Sequence, residues 1–109
     1  MAKAYWIASI EVSDFEAYKN YIAEAQHAFR KYGARYVARG GKSEVLEGQG
    51  RPRIVVVEFD DYATAVACYR SPEFAKAIAK RRSNAVADMV VVEGYEGPQP
   101  LEGAEWNGA

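Results

Sequence analysis

Two segments of this chain are apolar on both sides of the extended backbone, and this constrains the fold more than any other feature. In Ile54-Val55-Val56-Val57-Glu58-Phe59 and Met89-Val90-Val91-Val92 nearly every side chain is apolar. Successive residues of a strand point to opposite faces of the sheet. An antiparallel sheet with helices on one side and water on the other alternates apolar with polar instead. Both faces of this sheet therefore need a cover. A chain of 109 residues has one core and little left over for a second layer, so a second copy packed through the free sheet face is the expected cover.

The remaining periodicities alternate strand and helix. A first strand is expected from about Lys3 to Val12. Ser13-Asp14-Phe15-Glu16 then reads as a capping box. The helix it opens has an apolar stripe of Phe15, Tyr18, Ile22, Ala25, Phe29 and Tyr32, with Gly33 as the residue that ends it. A second strand is expected from about Ala34 to Arg39, interrupted by a bulge or bend at Gly40-Gly41, with pairing resuming around Glu44 to Glu47. The third strand ends near Phe59. Asp60 or Asp61 caps a helix carrying Ala65, Val66, Cys68 and Tyr69, and Ser71-Pro72-Glu73 restarts it to about Arg82. A last strand covers roughly Ala87 to Tyr95.

The order β-α-β-β-α-β is the split βαβ pattern, so the fold class expected is α+β, ferredoxin-like, with an antiparallel four-stranded sheet. Residues 1–95 form that domain. Residues 96–109 read as an irregular tail containing Gly, Pro and Trp106.

Composition excludes several functions. A net charge of −1 supplies no basic stripe for nucleic acid. The lone Cys68 can form no internal disulfide, and the amino-terminal residues are too short in apolar length for a signal peptide. With no apolar run of the length a membrane span needs, a cytoplasmic location is expected. One Cys and one His cannot make the usual zinc ligand sets, and no carboxylate cluster has a recognisable loop spacing, so no metal is expected. Gly41-Lys42-Ser43 is not a phosphate-binding loop: Tyr36 stands where the earlier Gly is required, and strand rather than helix follows. His27 lies almost opposite the apolar stripe of its helix, which argues against acid–base catalysis and against haem ligation through it.

A few residues remain as candidates for a ligand site. Arg81 shares a helix face with Phe74 and Ile78, and an inward guanidinium needs a carboxylate such as Glu58 or Glu93, or a ligand's anion. Arg39, beside the double glycine, is either a second anion-binding group or an edge-strand charge. Tyr5, Tyr18, Tyr36 and Tyr69 fall on or near inward stripes, as core with wet tips or as the lining of a polar-tipped cavity. Glu58 is the candidate acid–base group, provided burial raises its pKa.

Arg39-Gly40-Gly41, Glu47-Gly48, Val57-Glu58-Phe59 and Tyr69-Arg70-Ser71-Pro72-Glu73-Phe74, followed by Arg81, resemble in order and spacing an uncharacterised bacterial family, the domain of unknown function numbered thirteen-thirty. The resemblance covers about Ala4 to Gly94. It implies a dimeric α/β barrel, in which ferredoxin-like protomers pack sheet to sheet as a homodimer. Relatives in that superfamily include cofactor-free monooxygenases, muconolactone isomerase-like enzymes and haem proteins, which place ligands between sheet and helices. Fold-level kinship does not fix a reaction. By position the family pattern touches Arg39, Tyr69, Ser71 and Arg81 and leaves His27 unsupported, while Phe74 stands where tyrosine is common.

The function expected is therefore binding or transformation of a small oxygenated or carboxylated metabolite, with Arg39 or Arg81 holding the anion, Tyr18 or Tyr69 bonding an oxygen, and no cofactor. The alternative is a non-catalytic dimeric module.

Overall fold

The computed structural model describes residues 2–100. Its elements run β1 (Ala4–Val12), α1 (Phe15–Tyr32), β2 (Arg35–Arg39), β3 (Arg53–Phe59), α2 (Tyr62–Tyr69), α3 (Pro72–Arg81) and β4 (Ala85–Glu93). The strands form one antiparallel sheet in the order β2-β3-β1-β4, with β1 and β3 central. This is the ferredoxin-like α+β arrangement expected from the order of elements.

Each helix begins where a short acceptor side chain is available to cap it. Asp14, rather than Ser13, caps α1 by accepting from the Ala17 N–H at 3.2 Å, and Gly33 ends the helix with φ +67°. Asp61 caps α2 through the Thr64 N–H, and Ser71 caps α3 through the Phe74 N–H, with Pro72 in the first turn.

Helix packing covers one face of the sheet. Ala4, Trp6, Ala8 and Ile10 of β1, and Val57 and Phe59 of β3, point into a core shared with Tyr18, Tyr21, Ala25, Ala28 and Phe29 of α1 and with Phe74 and Ala77 of α3. The stripe of α1 is rotated from the one expected. Phe15 is 47% exposed, and Tyr21 is buried in its stead.

At the double glycine the structure has the bend rather than the bulge, and a register shift falls earlier, between Tyr36 and Ala38. One expectation for the second strand needs correction. Pairing does not resume at residues 44–47, since β2 ends at Arg39 and residues 40–52 form an exposed connection. Gly40, at φ +67°, turns the chain out of the sheet, and its N–H donates to the Ile54 carbonyl at 2.9 Å.

The other sheet face is open. In register across it stand Val56, Ile7 and Val90, an apolar row crossing the three strands β3, β1 and β4. Ile7, Val90 and Val92 are each two-fifths or more exposed. Polar contacts flank the row: Glu58 accepts from Tyr5 and Arg35 at one end, and Arg51 pairs with Asp88 at the other. No helix among the described residues is long and apolar enough to cross a membrane. Trp106 and the rest of 101–109 lie outside the described residues.

Candidate functional site

Between α1 and the sheet a cleft opens toward the β2 edge. Counted with the part open to solvent it measures about 430 Å³. Its floor and walls are apolar, including Trp6, Ala8, Ile10, Ile22 and Val55. Its polar side chains are Tyr18, Tyr21, Tyr36, Arg39 and Arg53.

The two guanidinium groups are held by aromatic rings and a glycine. Arg53 lies 5.6 Å from the Tyr18 ring centroid and 5.7 Å from that of Phe15. Its other side is against Gly40, where any Cβ would collide with the guanidinium. A glycine at φ +67° thus both turns the chain and makes room for Arg53. Arg39 stacks over Tyr36 at 4.2 Å, within ordinary cation–π range. Behind the cleft Arg81, only 9% exposed, stacks over Tyr21 at 4.9 Å. Tyr18 and Tyr21 touch each other at 5.1 Å between centroids, so guanidinium, phenol, phenol and guanidinium form one continuous ladder.

What this cluster lacks is negative charge. The ion pairs among the described residues involve Lys3, Lys19, His27, Lys31, Arg35, Arg51 and Lys80, and none involves Arg39, Arg53 or Arg81. Arg53 Nε and Arg81 Nη1 are buried without a hydrogen-bond partner. Unpartnered buried donors on cations are costly, which makes the cluster a standing acceptor for an anion. Burial raises the Tyr21 phenol to about 12, and it raises Tyr18 as well, with the neighbouring arginines pulling both partly back. Both are therefore neutral donors at physiological pH.

The structure brings Arg39 and Tyr18 together in this cleft and sets Arg81 against its back wall. It does not bring Glu58 or Glu93 to Arg81, where a carboxylate partner is expected from sequence. Tyr69 lines a different cleft of about 490 Å³, counted in the same way, between α2 and β4, with Tyr62, Val66, Arg70 and Val90. Trp6 lines both. Ser71 Oγ accepts from the Phe74 N–H at 3.1 Å and donates to the Cys68 carbonyl at 2.7 Å, a helix-capping role.

Glu58 differs from what acid–base work requires. It lies on the open face, and its pKa is lowered, chiefly by the hydrogen bond from Arg35 at 2.9 Å, with Tyr5 contributing. A carboxyl whose pKa falls on folding stabilises the fold above its unfolded value, and that stabilisation is lost as pH drops through the folded value. Thermal midpoints of the native chain are expected to fall as pH drops below the ordinary 4.5, more steeply than those of Glu58→Gln. Parallel curves for the two proteins would show that the Arg35 pairing does not act this way.

His27 is solvent-facing, with Glu24 at 3.9 Å as its partner. Among the described residues no group of three or more His, Cys, Asp or Glu could hold a metal ion.

Sequence reasoning missed Arg53 and Tyr21. The signal for Arg53 is its period-two relation to Val55, Val57 and Phe59, which puts it on the helix-covered face. The signal for Tyr21 is its place three residues after Tyr18 and four before Ala25.

Residues 3–95 match the family described as a domain of unknown function (DUF1330). The chain belongs to this family. No curated protein matches it. Among solved structures, this DUF1330 chain is similar to a protein of unknown function from Rhodopseudomonas palustris at 15% identity and TM-score 0.71, covering 87% of this chain and 84% of that one. It is also similar to SnoaB, a cofactor-independent oxygenase from Streptomyces nogalater, at 10% identity and TM-score 0.59, covering 88% and 96%. A dimeric protein of unknown function and ferredoxin-like fold from Bacteroides fragilis matches at 15% identity and TM-score 0.50, covering 84% and 96%. At these identities the likeness concerns the fold of the DUF1330 domain.

Proposed function

We propose that this protein binds a small carboxylated metabolite in the cleft between α1 and the sheet, as a homodimer paired through the open sheet faces. The single observation that carries the ligand reading is the group of three guanidiniums, Arg39, Arg53 and Arg81, set around buried tyrosines with no carboxylate partner. A guanidinium fork suits a carboxylate, and the apolar wall behind it suits a carbon skeleton. In this reading Arg39 and Arg53 hold the carboxylate at the mouth, and Tyr18 donates to a ligand oxygen.

The dimer reading rests on the Val56–Ile7–Val90 row and is supported by the dimeric relative of the same fold. The oxygenase of similar fold makes chemistry on the bound metabolite a further possibility to assay. The cleft's polar side chains include no carboxylate or histidine, so any reaction there would use the tyrosines, the arginines or the ligand's own groups.

Calorimetric titration with benzoate and with neutral benzamide tests the ligand reading. Benzoate is expected to bind and benzamide not, and Arg53→Met is expected to weaken benzoate at least tenfold, a loss of about 1.4 kcal/mol. Gly40→Ala should weaken it too, by displacing Arg53. Equal affinity for the acid and the amide, or no binding by either, would overturn the reading in favour of a non-catalytic structural module.

A further inference from the structure

Hydrogen-bond direction narrows the class of ligand, given the reading of the cleft as a carboxylate site. A phenol oxygen can accept and its O–H can donate. Gln26 Nε2 donates to the Tyr36 oxygen at 2.7 Å and also to the Ile22 carbonyl at 3.1 Å. The second bond fixes the amide's orientation, because a carbonyl cannot donate, so Tyr36 accepts and keeps its O–H for another partner. Arg53 stands against Tyr18 and Arg81 against Tyr21. A guanidinium has five N–H donors and no acceptor, so neither phenol can donate to the arginine beside it and each keeps its O–H for another partner.

The remaining polar groups of the cleft are the two arginines at its mouth, also pure donors. The indole N–H of Trp6 is committed to the Ala65 carbonyl at 2.9 Å. Every polar side chain of the cleft thus has a hydrogen to donate, and its acceptors are phenol oxygens on rings that lie against guanidiniums. Arg81, nine-tenths buried with a free Nη1, adds a positive charge behind the tyrosines that a single carboxylate at the mouth would not reach.

We infer that the cleft selects a small dicarboxylate, or a carboxylate carrying a second anionic oxygen, and rejects ligands that carry an ammonium or amine. One oxyanion meets Arg39 and Arg53, and the other takes the O–H groups of Tyr18 and Tyr21, with Arg81 positioning and polarising Tyr21. An ammonium in the same place would face three arginines without a carboxylate partner and no anionic group. Specificity of this kind arises from the group left unpaired as much as from the one that is matched.

Succinate and aspartate form a matched pair, identical except for the ammonium. Titration of the native protein is expected to give at least tenfold tighter binding of succinate than of aspartate, with butyrate, one carboxylate fewer, also weaker than succinate. Arg81→Met removes the cation stacked on Tyr21 and is expected to narrow the succinate-to-aspartate ratio. Tyr21→Phe, a milder change in the same contact, is expected to do so as well. Inorganic phosphate is expected to bind more weakly than succinate, because it makes no use of the apolar wall. Equal affinity for succinate and aspartate, or phosphate binding as tightly as succinate, would overturn this inference while leaving a carboxylate site in place. Failure of succinate, butyrate and benzoate alike would instead remove the carboxylate site on which it rests.

Discussion

Trp6→Ala is expected to lower stability by roughly 3–5 kcal/mol, the range for removing a large buried aromatic side chain. Trp6 is 2% exposed and sits where the two halves of the core meet. Its ring packs against Phe29, Phe59, Tyr69 and Phe74 at centroid distances between 4.9 and 5.8 Å. Its N–H is the buried bond to the Ala65 carbonyl, so α1, α2, α3 and β3 all lean on this one residue of β1. Domains of this size are stable by only about 5–15 kcal/mol, so the variant would be marginal. A thermal midpoint lower by on the order of 10 °C or more is the expected result. A loss under about 1 kcal/mol would mean that the aromatic cluster closes over the gap and that Trp6 does not hold the core together.

Val56→Lys is expected to convert a dimer into a monomer, read as a halving of the mass in solution. Val56 lies at the β3 end of the apolar row that crosses the open sheet face. A stable interface between two such faces buries about 800 Å² per partner, with its apolar centre excluding water. Two copies brought together would set a lysine from each into that centre, where an unpaired ammonium is strongly disfavoured. The same substitution in a monomer would cost little, since the face is open to solvent. An unchanged dimer in Val56→Lys would place the contact elsewhere, and a native chain that is monomeric at the outset would remove the dimer altogether.

The architecture was legible because its signals are local and repeated. The β3 and β4 runs are apolar at consecutive positions, α1 has a cap, a stripe and a terminal glycine, and Ser71-Pro72 marks the start of α3. The segment 44–47 misled because Val45 and Leu46 between glutamates look like a strand. Whether such a stretch pairs depends on a neighbouring strand, which β2 does not offer once Gly40 has turned away.

The cleft was only partly legible. Arg39, Tyr18 and Arg81 could be picked out as polar groups near inward stripes. Arg53 reads as an ordinary charge after Pro52 until its alternation with Val55 and Val57 is followed. The same alternation puts Glu58, between Val57 and Phe59, on the open face away from Arg81, whereas its partners there, Arg35 and Tyr5, depend on strand register, a long-range property that no local pattern specifies. Assigning Tyr69 to a separate cleft likewise required the packing of α2 against β4.

In the proposed function the unpaired arginines around Tyr18 and Tyr21 form an anion site, and side-chain ¹⁵N–¹H spectra of the arginines, followed while benzoate is added, report on it residue by residue. The guanidinium signals of Arg53 and Arg39 are expected to shift together and to saturate, with Arg70, in the second cleft, unmoved. Saturating shifts confined to Arg70, or none at any arginine, would contradict the claim.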